Sequence, residues 1–119
     1  MKPLDNVAKF LKRFDHFKNG ELRSIDIIDA TTMLVTLAGQ DEARAFDWVS
    51  MKLEFTDVKD ARLLENAKLS LLDMENGISI IKNRNTLAFT IGECYNISNL
   101  KSATCYIEST YIKYEEDLF

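Results

Sequence analysis

The segment FDWVSMKLEF, residues 46–55, sets Val49, Met51, Leu53 and Phe55 in alternation with Ser50, Lys52 and Glu54. Side chains two residues apart share a face only in an extended chain, so this run predicts a strand with one face buried. Similar runs recur at short spacing, and that recurrence constrains the fold more than any other feature. ELRSIDII, TTMLVTLAG, FDWVSMKLEF, LSLLDM, GISIIKN, TLAFTIGEC and ATCYIESTYIKYE bring the count to about seven strand-like segments. Ile25 and Ile27 share one face of the first, and Met33, Val35 and Leu37 share one face of the second. Between them stand turn-forming groups such as Asp29-Ala30, GQDEARA, Glu75-Asn76-Gly77 and Asn83-Arg84-Asn85, with a looser connection at YNISNLKS. Parallel neighbours need crossovers of about a dozen residues or more, so most of these strands must pair antiparallel. The stretch DVKDARLLENAK, residues 57–68, breaks the pattern: Asp60 could cap a short helix containing Leu63 and Leu64, the same residues could run as an irregular or edge segment, and the reading taken is a short helix or loop.

The first residues follow a different period. Leu4, Val7, Ala8, Leu11 and Phe14 recur at intervals of three and four, which predicts an amphipathic helix over about residues 3–17. Pro3 suits a first turn that needs no amide hydrogen, and Asn19-Gly20 supplies the stop. The whole chain, 1–119, therefore reads as a single mainly β (α+β) domain. Its helix precedes a β-rich body over about residues 21–114, an antiparallel sheet bent into a sandwich or partial barrel with the helix over an apolar face or an open edge.

Composition narrows the function classes. The chain is 46% hydrophobic and 29% charged, as expected of a chain that folds around one core. Its 19 acidic and 15 basic residues leave a net charge of −4, and the cations are scattered instead of forming a stripe, which argues against nucleic acid and favours a basic protein partner. The start, MKPLDNVAKF, lacks a signal-peptide h-region, and no run is long and apolar enough for a membrane span, so a cytoplasmic protein is expected. Cys94 and Cys105 lack metal-ligand or redox spacing; they read as free thiols, and no cofactor or metal is indicated.

No catalytic motif assembles in the sequence. His16, beside Asp15 in FDHFKNGELRSIDI, has the side chain for proton transfer, yet a solvent-facing residue or a helix-end cation explains it without chemistry. Cys94 in GECYN has no local base and reads as a strand-end residue, while Cys105 reads as an apolar filler. The carboxylates Glu21, Asp26, Asp47, Glu54, Asp57, Asp60, Asp73 and Glu75 read as solvated turn and surface residues. The aromatics carry more information. Trp48 falls on the polar parity of its strand, and Tyr111 has the opposite parity to Tyr106 and Tyr114, so at least one phenol faces outward. Trp48, Tyr111 and Tyr114 are the candidate protein-interface residues, since such rings combine apolar area with a hydrogen-bonding tip.

The stretch FKNGELRSI followed by two strands and WVSMKLEFTDV resembles the start of small bacterial immunity-type proteins, which carry a Phe-His-Asp-small-Glu-aliphatic pattern before a β-rich body. Phe17, Gly20, Glu21 and Leu22 occupy matching positions, with Trp48, Phe55 and Val58 later; Lys18 and Asn19 stand where His-Asp is expected, and His16 lies one place out of register. The resemblance spans residues 17–58 and implies a protein that neutralises a toxin of competing bacteria by binding it. The leading expectation is a non-catalytic protein-binding module of that type. Two other readings stay open: a small-molecule-binding barrel or modest hydrolase with a cavity between sheet and helix, using His16, Glu21 or Cys94, and a structural subunit that self-associates through a strand edge.

Overall fold

A computed structural model gives the fold and describes residues 1–117. The elements run β1 (Lys2–Pro3), α1 (Val7–Arg13), β2 (Glu21–Asp29), β3 (Thr32–Asp41), β4 (Asp47–Arg62), β5 (Ile78–Asn83), β6 (Thr86–Ile91), α2 (Ile97–Lys101) and β7 (Tyr106–Asp117), with short 3-10 turns between some of them. Among the described residues, all seven strands pair antiparallel in one sheet of order β2-β3-β4-β7-β6-β5, with β1 added beside the second half of β7. The sheet is not closed, and β2 and β5 are its outer strands.

The alternation in residues 49–55 acts as expected. Val35 pairs with Leu53 and Leu53 with Tyr114, while Met33 pairs with Phe55 and Phe55 with Ile112, so inward positions stack in rows across three strands. Val35, Leu37, Met51, Leu53 and Phe55 are fully buried. In β2 the pattern looks imperfect because a bulge interrupts it: Leu22 faces Leu37, but Ser24 faces Thr36. The extra residue, Arg23, lets Leu22 and Ile25 both point inward although three positions separate them. Ile27 does not join Ile25 in the core; it is exposed, as is Ile28, near a second register shift before Asp29.

Three other expectations are corrected. The strand count of seven holds, but its membership differs: LSLLDM is not a strand, and Lys2–Pro3 is. Residues Asn66–Leu71 form a 3-10 turn that buries Leu69 and turns Leu71 outward. Its Asn66 Oδ1 accepts from Ile25 N at 2.9 Å, covering part of the open β2 edge. Residues 57–62 are neither helix nor loop but continue β4, which passes through Asp57 in left-handed conformation (φ 57) and a register shift between Val58 and Asp60. YNISNLKS contains the short helix α2, capped by Asn96 accepting from Asn99 N at 2.9 Å.

The N-terminal helix is shorter than residues 3–17. Asn6 caps it, accepting from Lys9 N at 3.0 Å, and Leu4 N donates to Ile112 O at 2.9 Å, which keeps the preceding residues on the sheet. Its end is abrupt: Asp15, His16 and Phe17 have φ of 49°, 57° and 58°, three successive residues in the left-handed region. Each costs roughly 1–2 kcal/mol in an L-residue. Burial of Phe17, which is fully enclosed and stacked on Phe14 at 4.8 Å, offsets roughly 2–3 kcal/mol of that. The turn folds back so that Asn19 N donates to Met74 O at 2.7 Å, joining the helix end to the segment before β5. Phe10, beside Phe14 and Phe17, reaches Tyr114 at 5.3 Å and seats the helix on the sheet.

Candidate functional site

The end of the sheet where β3 turns into β4 is built around a buried carboxylate. Asp41 has the inward parity of Leu37 and Gly39 and no exposed surface. Its two oxygens accept from Arg13 Nε at 2.8 Å and Arg13 Nη2 at 2.6 Å, a two-pronged arrangement that fits the planar guanidinium. Oδ1 also accepts from Ala43 N at 2.9 Å, and Arg44 Nε lies 3.5 Å from Oδ2. Arg13 donates further to Glu116 Oε1 at 2.6 Å, and Arg44 pairs with the other Glu116 oxygen. The last turn of α1, the β3–β4 turn and the end of β7 are thus tied at one point. The Arg13 hydrogen bonds hold the Asp41 carboxyl below the usual carboxylate range against the opposing effect of burial, and they hold the Arg13 guanidinium charged.

That cluster fixes a turn with unusual geometry. Ala45 and Phe46 have φ of 54° and 67°, and Phe46 N donates to Asp41 O at 2.8 Å. A bulky residue at positive φ is a real outlier. The turn holds the Phe46 ring out, 61% exposed, and two residues on Trp48 is 39% exposed opposite Gln40. Glu42 and Asp47, in the same β3–β4 connection, are exposed acids.

The expected interface residues do not form one surface. Trp48 belongs to this end of the sheet, whereas Tyr111 lies opposite Thr56 and lines a groove between α1 and the β5–β6 hairpin. Tyr114 is half-buried against Phe10 and belongs to the core. Tyr106 and Tyr114 do not share a face despite their common parity: Tyr106 packs with Ala88 and Leu100 in a second cluster, Tyr114 in the main core. Ile107 and Ile112, of opposite parity, both enter the main core, so β7 changes face between them; Ser109 Oγ donating to Tyr111 O at 3.1 Å marks the irregularity.

His16 and Cys94 line one cleft of about 410 Å³, together with Lys18, Glu93 and Tyr95 above Ile78 and Ile80. Glu21 lines a different depression, so the three residues of the hydrolase reading do not converge. The Cys94 thiol donates to Asn96 O at 3.3 Å. His16 lies just past the helix, exposed, and not in its last turn. Cys105 is buried, and burial pushes its thiol up. Among the described residues no group of three or more His, Cys, Asp or Glu is placed to hold a metal ion.

A second ionic cluster secures α2. Lys101 pairs with Asp60 and with Glu108 Oε1, the latter at 2.8 Å, while Thr86 Oγ1 donates to Glu108 Oε2 at 2.7 Å. Hydrogen bonds from Lys101 depress both carboxyl groups; burial works against the Lys101 ammonium, but its two partners raise it overall. The signs give a pH prediction. A carboxyl depressed in the folded protein binds protons more weakly than in the unfolded chain, so its stabilisation is complete above the unfolded value of about 4 and is lost as pH falls through the folded value. Urea midpoints should therefore be flat near neutrality and fall steadily below about pH 4 to 5, and Asp41→Asn should flatten that acid limb. An acid limb unchanged in Asp41→Asn would remove Asp41 from the account.

Sequence reasoning missed Phe46 and the Arg13–Asp41–Glu116–Arg44 cluster. One signal was present: Asp41 and Glu116 continue the inward parities of β3 and β7, and an inward acid requires a cation. Comparisons of the chain with protein-family models, with curated proteins and with solved structures find no match.

Proposed function

We propose that this protein is a cytoplasmic, non-catalytic binding module of the immunity type, engaging another protein, one with a basic surface, through the Phe46–Trp48 end of its sheet. The observation that carries the reading is the exposure of Phe46 on a turn of two left-handed residues that a buried ion cluster locks in place. Strained backbone held by its surroundings concentrates at binding and switching sites. A turn whose backbone is fixed before encounter loses little freedom when the aromatic side chain it carries docks, which favours such a residue as an anchor. Acidic neighbours Glu42 and Asp47 and the net charge of −4 favour a cationic partner.

The test is a pull-down from lysate of the native host with folded, tagged protein, followed by affinity measurement on whatever is retained at near-equal stoichiometry. Phe46→Ala and Trp48→Ala should each weaken that partner by about 2 kcal/mol or more, roughly thirtyfold. Phe46→Ala should leave the urea midpoint nearly unchanged, because an exposed ring contributes little to folding. Retention of full affinity per folded molecule in both variants would refute the assignment.

A further inference from the structure

We propose a second, independent binding site: the groove between α1 and the β5–β6 hairpin takes a single-chain amphiphile with an anionic head, of which a medium-chain carboxylate is the simplest case. The groove arises from topology. Along one edge, β7 pairs with β6 only as far as Ser109 opposite Leu87, and with β1 only from Lys113 opposite Pro3. Where these two edge partners diverge, α1 crosses the gap and leaves a concavity of about 800 Å³. That size lies in the range of sites for small ligands, roughly 300–1,000 Å³.

Its walls and its mouth differ in chemistry. Val7 and Leu11 from the helix face Ile80 and Leu87 from the hairpin, and the Tyr111 ring, 61% exposed, lies along the side. The face change in β7 between Ile107 and Ile112 is what turns Tyr111 outward into the groove. At the hairpin end stand Lys82 and Arg84, both exposed and neither in an ion pair with any described residue. Asp5 is the one acid among the described lining residues. An apolar trough ending at two unpaired cations complements a hydrocarbon chain ending in an anion, since the chain leaves water and the head meets donors. A cationic amphiphile has no corresponding place at that end.

The test uses three probes with the same ten-carbon chain and the full protein: decanoate below its micellar concentration, decanol and decyltrimethylammonium, each followed by calorimetry and by amide NMR shifts. Saturable decanoate binding is expected, with shifts centred on Val7, Leu11, Leu87 and Tyr111, and affinity about tenfold above decanol, the size of one charge-assisted contact. In Lys82→Ser/Arg84→Ser, both exposed and so tolerated by the fold, decanoate should fall to the level of decanol. Ala8→Phe, which fills the groove from an exposed helix position, should abolish both. Absence of saturable decanoate binding, shifts confined to the Phe46–Trp48 end, or equal affinity for the cationic probe would each overturn the proposal.

Discussion

Gly77→Ala should destabilise the protein by about 3 kcal/mol or more, far beyond the usual effect of adding one methyl group. Two causes add. Gly77 has φ of 68°, where an L-residue is strained by roughly 1–2 kcal/mol. A Cβ there would also overlap the His16 carbonyl oxygen and lie 2.9 Å from Lys18 N, both backbone atoms that no rotamer change can move. The left-handed turn after α1 and the segment leading into β5 are pressed together at this glycine, and either must shift to admit a side chain. Gly92 provides the control: its φ is 90°, but a Cβ meets nothing within 4 Å. Gly92→Ala should show the strain alone, about 1–2 kcal/mol. Urea titrations of the two variants separate the effects, and equal losses would mean that the close approach at His16 contributes nothing.

Asp41→Ala should cost about 3 kcal/mol or more, because it leaves Arg13 with Glu116 alone and the Ala43 amide without its acceptor. The paired change Arg13→Met with Asp41→Leu should cost less than Asp41→Ala by itself. Removing both charges avoids leaving the guanidinium short of its main partner, and Arg44 and Glu116 still hold each other. Denaturation midpoints of the two proteins decide the matter. A paired variant less stable than the single one would show that the ion pair itself, and not the loss of one partner from the remaining charge, sets the energy.

These two sites differ in how far the amino-acid sequence foretells them. The period-two run from Val49 to Phe55 is legible because every second side chain is apolar and each finds a row partner on β3 and β7. Helix α1 is legible as an element but not in its length: the periodicity continues through Phe14, yet Asn6 caps late and the chain reverses hand at Asp15. Nothing local marks three successive left-handed residues, for only burial of Phe17 and docking beside Gly77 justify them. LSLLDM reads as a strand from composition, whereas tertiary context uses Leu69 and Met74 as plugs and Asn66 as an edge cap. Trp48 was visible as a wrong-parity aromatic. Phe46 was not, because its exposure comes from a positive φ in a turn whose lock, Arg13, lies 28 positions away from Asp41. The inward acids at 41 and 116 announce a need for cations without saying which of 15 supplies them.

The position of β7 has a consequence for how the chain comes to be folded. It follows every other strand in sequence, yet it lies between β4 and β6 and also carries β1. During synthesis, the β2–β3–β4 meander and the β5–β6 hairpin can each form from local contacts, but neither has its inner neighbour until residues 106–117 emerge. Until then β4 and β6 present bare edges with apolar faces, the form in which strands recruit other chains. Truncated or stalled products ending before residue 106 should therefore engage chaperones or aggregate instead of forming a smaller native sheet. β7 acts as a keystone, and its emergence is the event that lets the strands made before it commit to this sheet.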